Sequence, residues 1–145
     1  MDRLDDFLDK LQEEIFDDAR QALGEKGFER WRNPRFAGRI KNPDAHGRIN
    51  GVCGDTMEMY FMIESNRVKK GSYITSGCAS SSISGSFAVE LALGKTLEEL
   101  LDISGEDILS IIGGLPEDDR HCAFLAAQTI HDAVRDYMNH SKSAG

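Results

Sequence analysis

Residues 57 to 94 read MEMYFMIESNRVKKGSYITSGCASSSISGSFAVELALG. Met57 to Ile63 and Val68 to Thr75 are apolar and β-branched runs separated by the polar Ser65-Asn66-Arg67, the pattern of two strands joined in a hairpin. After Cys78 the small residues ASSSISGS give way to Phe87, Val89, Leu91, Ala92 and Leu93, which predicts a helix over about 79–93. Gly94 ends it, because glycine takes the left-handed conformation that closes a helix. A hairpin therefore delivers the chain through Gly77-Cys78 directly into a helix.

Working towards the N-terminus, Leu4, Phe7, Leu8, Leu11 and Ile15 recur at spacings of three and four. They predict an amphipathic helix over about 2–23 with an acidic opposite face, stopped near Gly24. From Gly24 to Gly54 the chain turns to Gly, Pro, Asn and Arg, which reads as loop with room for one short strand. Towards the C-terminus, Thr96-Leu97-Glu98-Glu99 and Ser104-Gly105-Glu106-Asp107 each place a hydroxyl three residues ahead of an acid, the sign of a capped helix start. Two short helices are expected there. Ala123, Ala126, Ala127, Ile130, Ala133, Val134 and Tyr137 form one stripe and predict a last helix over about 120–139. Trp31, Tyr60, Met57, Met59 and Met62 read as packing residues, and His46, His131 and His140 as solvated ones.

The composition limits what such a chain does. Its 145 residues suit a single domain over 1–145, and 40% apolar with 29% charged residues and three prolines is the balance of a folded protein. The net charge of −8 repels phosphate backbones and anionic lipid, so neither nucleic acid nor membrane is an expected partner. The acidic start MDRLDDFLDKLQEEIFDD lacks the features of a signal or transit peptide, and no run reaches membrane-spanning length. Three cysteines cannot all pair within one chain, and without a secretory signal the expected compartment is the reducing cytoplasm, where thiols serve metals or catalysis.

Three short motifs carry ligand-type side chains. Cys53-Gly54-Asp55 enters the first hairpin strand, where alternation would put thiol and carboxylate on one face, although a buried Cys and a turn Asp would look the same. Cys78 sits at the predicted start of a helix, where free N–H groups and the helix dipole favour a thiolate. His121-Cys122 opens the last helix in the same way, its two side chains pointing about 100° apart. All three cysteines fall at element boundaries, and two bring a second ligand-type group with them. One shared metal site accounts for that distribution better than three separate accidents.

These motifs also occur in a recognisable order. Asn33-Pro34-Arg35 with Gly38, Cys53-Gly54-Asp55, Gly77-Cys78-Ala79, Gly94-Lys95-Thr96, Leu115-Pro116, His121-Cys122-Ala123 and Asp136-Tyr137 resemble those of the IscU/NifU N-terminal family over roughly residues 30 to 138. The resemblance implies an α+β fold, a small antiparallel β-sheet packed against several α-helices. It implies a scaffold for a labile [2Fe–2S] cluster, built from iron and sulfur supplied by a cysteine desulfurase and passed to apo-proteins. Cys53, Asp55, Cys78, His121 and Cys122 are then the candidate ligands, with Asp55 and His121 both open as the fourth and Cys122 as sulfur acceptor. Thiolates hold iron and sulfide strongly while a carboxylate is a harder, weaker partner, which suits a cluster that must be surrendered. Zinc suits the same groups as a tetrahedral ion.

Two departures qualify the resemblance. The branch served by a dedicated Hsp70-type chaperone carries Leu-Pro-Pro-Val-Lys, whereas this chain has Leu115-Pro116-Glu117-Asp118-Asp119, which puts recognition by that chaperone in doubt. SufU, a zinc-containing sulfur acceptor and the alternative reading, carries an insertion between the second and third cysteine segments; here 43 positions separate Cys78 from His121, which favours the scaffold branch. Association of copies is compatible with the sequence. A thiol hydrolase would pair a cysteine with His121, but no nucleophile signature accompanies them, and the chain is read as a non-enzyme.

Overall fold

In the computed structural model, residues 3–52 and 54–144 are described, with side chains to residue 140. The elements in chain order are α1 (Arg3–Arg32), β1 (Ala45–Asn50), β2 (Thr56–Glu64), β3 (Arg67–Thr75), α2 (Ala79–Ala92), α3 (Leu97–Leu101), α4 (Gly105–Ile112), a 3₁₀ turn (Glu117–Asp119) and α5 (His121–Ala144). The strands form an antiparallel sheet in the order β1-β2-β3. This is the expected α+β class.

The hairpin forms where the sequence places it, and its turn explains the tightness. Ser65 and Asn66 both have positive φ, 53° and 65°, the pair of left-handed residues whose twist matches that of the flanking strands. Along β2, Met57, Met59 and Phe61 point to the core and are fully buried. The helices α2 and α5 lie on that face, α2 against β3 and α5 against β1 and β2, with α4 packed on both helices. Both short helices carry complete capping boxes, Thr96 with Glu99 and Ser104 with Asp107.

β1 approaches α5 more closely than side chains allow. A Cβ on Gly47 would lie 2.3 Å from the Thr129 carbonyl oxygen and 2.7 Å from the Ala133 nitrogen. On either side of that glycine the His46 and Arg48 N–H groups donate to Asp136 (3.0 Å) and Asp132 (2.9 Å) of α5. At the opposite side of the sheet, Tyr73 exchanges backbone hydrogen bonds with Phe36 and Gly38, and Val68 does so with Gly94 and Lys95.

The segment after Gly24, expected as loop, is helical to Arg32. Gly24 itself is not helical, with φ 78° and ψ 169°. Phe16 and Phe28 would stand about 18 Å apart on a straight helix, yet their rings meet edge to face at 6.0 Å. The chain therefore folds back at Gly24. Arg20 covers Phe28 and Arg32 covers Phe16 across the fold. The second half buries Gly27, Phe28 and Arg30, whose guanidinium donates to Ser86 Oγ (3.0 Å) and Glu90 Oε1 (2.8 Å) and lies over the Phe87 ring. In the first half, Leu4, Phe7, Leu8, Leu11 and Ile15 remain exposed. At about 100° per residue they occupy a helix face turned away from Phe16 and Arg20.

All three histidines expected in solvent have partners, exposed His140 placing Nδ1 2.9 Å from the Asp136 carbonyl oxygen. His131 Nε2 lies 2.8 Å from the Ile103 carbonyl, tying α5 to the segment after α3. His46 stacks on Tyr60 and pairs with Glu58 at 2.8 Å, and that pairing helps hold the Glu58 carboxyl below its ordinary range against the opposing effect of burial. No helix among the described residues is long and apolar enough to cross a membrane.

Candidate metal centre

Three chain segments converge at one end of the sheet: the loop before β2, the start of α2 and the start of α5. Asp55 comes from the loop. The sequence reading placed it on an entering strand, but β2 begins at Thr56, and ahead of it the chain turns, Gly51 N–H donating to the Asp55 carbonyl (2.6 Å) and Gly54 N–H to the Gly51 carbonyl (3.1 Å). Gly54 takes φ 85°, which a side chain would strain. Strand alternation therefore does not position Asp55; the turn does. Cys53, the other ligand expected from this segment, lies outside the described residues.

The turn is held against the end of β3. Thr56 N–H donates to Ser76 Oγ (3.0 Å), and Thr56 O accepts from both Ser76 N–H (3.1 Å) and Thr75 Oγ1 (2.9 Å). This brings Asp55 over Gly77, where a Cβ would lie 2.7 Å from Asp55 Oδ2 and 2.4 Å from Ser81 Oγ. Only glycine leaves the carboxylate and the hydroxyl room to meet.

Cys78 is the N-cap residue of α2, as the sequence predicts; its backbone is extended, its side chain makes no capping bond, and the residue is exposed. His121 and Cys122 are the first two residues of α5, with Nε2 and Sγ 3.8 Å apart. One ligand atom each from Asp55, His121 and Cys122 lie within 4.8 Å of one another. Ligands sharing a tetrahedral ion sit roughly 3.3–3.8 Å apart, given bonds of about 2.0–2.3 Å. The oxygen, nitrogen and sulfur donors are thus within small side-chain adjustments of a common ion, and they are the types that bind zinc or iron.

The helix start does not make Cys122 a thiolate. Its side chain is fully buried, and burial pushes the thiol up to about 11 from an ordinary 9.0. The Ser81 hydroxyl opposes that rise, while the nearby Cys78 and Asp119 side chains add to it. Two residues the sequence reading passed over complete the surroundings. Ser81 Oγ lies 3.2 Å from Asp55 Oδ2 and 3.3 Å from Cys122 Sγ. Asp119 accepts from Ser80 Oγ at 2.9 Å. The available signal was the serine run after Cys78, since a residue three positions on returns to the same helix face.

The protonation state gives a measurable consequence. With a proton held until the pH approaches 11 and no exposed surface, Cys122 of the metal-free protein should be alkylated at pH 8 at least about tenfold more slowly than Cys78. Peptide mapping after timed iodoacetamide treatment measures both rates. Equal rates would contradict the buried thiol.

The fold and the convergent donors define an α+β domain with a candidate metal centre between two helix starts. Residues 23–144 match the family model described as "NifU-like N terminal domain". The chain belongs to the NifU-like N-terminal domain family. It is 40% identical over 115 residues to the iron-sulfur cluster assembly scaffold protein IscU 1 of Archaeoglobus fulgidus, covering 79% of this chain and 75% of that one. It is 31% identical over 117 residues to the iron-sulfur cluster assembly scaffold protein IscU of Aquifex aeolicus, covering 79% and 74%. The crystal structure of the N-terminal part of a NifU-like protein from Brucella abortus superposes with a TM-score of 0.64 at 20% identity, covering 83% of this chain and 97% of that one. That likeness is one of fold.

Proposed function

We propose that this chain is a scaffold on which a labile [2Fe–2S] cluster is assembled and from which it passes to apo-proteins. The observation that carries the reading is the convergence of Asp55, His121 and Cys122 within 4.8 Å in a chain whose relatives are named cluster assembly scaffolds. Cys78 at the adjoining helix start and Cys53 of the Cys53-Gly54-Asp55 motif supply the remaining thiols of the proposed set. The iron and sulfide are cargo, with sulfur drawn from a cysteine desulfurase. The mixed donor set suits that purpose, because an oxygen or nitrogen ligand exchanges more readily at cluster iron than a fourth thiolate.

The protein's own contribution is to bring the ligands together and to shield them. Burial keeps the Cys122 thiol protonated and covered, so sulfur acceptance at Cys122 requires the thiol first to be uncovered and to give up its proton. Loading at Cys122 therefore releases a proton at neutral pH.

Anaerobic reconstitution with iron and sulfide tests the proposal. The expected product is brown, carries iron and acid-labile sulfide in equal amounts, and restores the spectrum of an apo-ferredoxin on mixing. A colourless protein that retains only zinc and still accepts sulfur from a desulfurase would replace this reading with that of a zinc-containing sulfur acceptor.

A further inference from the structure

We propose that Ser81 is a positioning residue of the metal centre, its hydroxyl tying the Asp55 carboxylate to the Cys122 sulfur so that donors from the loop and from α5 are presented together. The inference deepens the scaffold reading and rests on it, in that the same donors must take up metal. Ser81 is fully buried in the first turn of α2, and its Oγ reaches Asp55 Oδ2 at 3.2 Å and Cys122 Sγ at 3.3 Å. A hydroxyl carries one hydrogen, so it cannot donate to both neighbours. The Ser81 O–H is within donating distance of Asp55 Oδ2 and of Cys122 Sγ, so the one oxygen stands between the two donors as their shared partner. The three groups form one chain of hydrogen bonds from α5 through α2 to the loop.

Among the described residues, no other hydrogen-bonded group bridges Asp55 and Cys122. Among the described residues the loop is held by its own backbone bonds and by the bonds of Thr56 to Ser76, Thr75 and Asn50, while the Asp55 carboxylate itself is held by the Ser81 hydroxyl. The absence of a side chain at Gly77 is part of the same device, since a Cβ there would overlap both Ser81 Oγ and Asp55 Oδ2. Groups that orient metal ligands in this way are worth about 10–100-fold in metal affinity.

Ser84 provides a matched control. It is fully buried, one turn further along α2, and its hydroxyl has no hydrogen-bond partner among the described residues. Co²⁺ is the probe, titrated anaerobically into the full chain, because its visible d–d and sulfur-to-cobalt bands report ligand type and geometry independently of cluster transfer. Ser81→Ala should bind Co²⁺ at least about tenfold more weakly, with shifted d–d bands and unaltered far-ultraviolet circular dichroism. Ser84→Ala should match the wild type. In an Asp55→Ala background the further loss from Ser81→Ala should shrink, because the group it orients is gone. Ser81→Thr, which keeps the hydroxyl, is the second variant and should retain the wild-type bands. Wild-type affinity and bands in Ser81→Ala, or an equal loss with and without Asp55, would overturn the role given to Ser81. A wild-type protein showing no sulfur-to-cobalt band at all would overturn the metal centre itself, a result readily told apart from the first.

Discussion

Replacing Gly47 by alanine should destabilise the protein by about 3 kcal/mol, the upper part of the usual range for an overpacked core. Elsewhere in an edge strand the same change would be neutral or favourable, since alanine loses less conformational freedom on folding than glycine. Here the added carbon meets backbone atoms of Thr129 and Ala133, which no rotamer change can move aside. Relief requires α5 to move off β1, and that displaces the His46 and Arg48 N–H groups from Asp136 and Asp132. Because α5 carries His121 and Cys122 at its start, metal uptake should fall with stability although the substitution lies away from the ligands. Urea unfolding followed by circular dichroism measures the first effect, and Co²⁺ titration the second. A stability change below about 0.5 kcal/mol, the level of an ordinary surface substitution, would show that the close approach is not part of the packing.

Removing individual thiols should have the largest effect on cluster retention. Cys78→Ala and Cys122→Ala should each lower retained iron and sulfide more than about tenfold, beyond what loss of a group that only orients ligands produces. The two substitutions differ structurally, which makes the comparison informative. Cys78 is an exposed capping residue without a capping bond, so its removal should leave stability almost unchanged. Cys122 is buried and bonded to Ser81, and its removal should cost about 1 kcal/mol. Loss of cluster in both, with stability lost in only one, would separate ligation from packing. Cys53→Ala is expected to match Cys78→Ala in cluster loss. A variant that kept full iron and sulfide content would remove its cysteine from the ligand set.

The elements legible in the sequence were those determined locally. The hairpin followed from two apolar and β-branched runs around Ser65-Asn66-Arg67, and α3 and α4 from hydroxyl-acid pairs that close their own capping boxes. The second half of α1 was illegible because its burial depends on Arg30, a residue that reads as exposed until Ser86, Glu90 and the Phe87 ring, nearly sixty positions away, supply its partners. The same division runs through the candidate site. The places of Cys78 and His121-Cys122 at helix starts were legible, because helix starts can be read from sequence. Asp55 was found through an alternation that does not exist, its true position being fixed by a turn and by contact with β3. The rise of the Cys122 thiol was not legible, because it comes from burial, a tertiary property that the position at a helix start does not reveal.

The backbone bonds at the two sides of the sheet bear on how copies of this protein can associate. A free strand edge invites another chain to add to it, the route by which β-proteins aggregate or join into continuous sheets. On β1 that invitation is withdrawn by Asp132 and Asp136, whose carboxylates occupy the outward N–H groups of His46 and Arg48. On β3 the chain's own segments at Phe36 to Gly38 and at Gly94 to Thr96 take the corresponding positions. With these edge groups already bonded, addition of a fourth strand is disfavoured relative to association through side-chain surfaces, which can separate again without breaking a sheet.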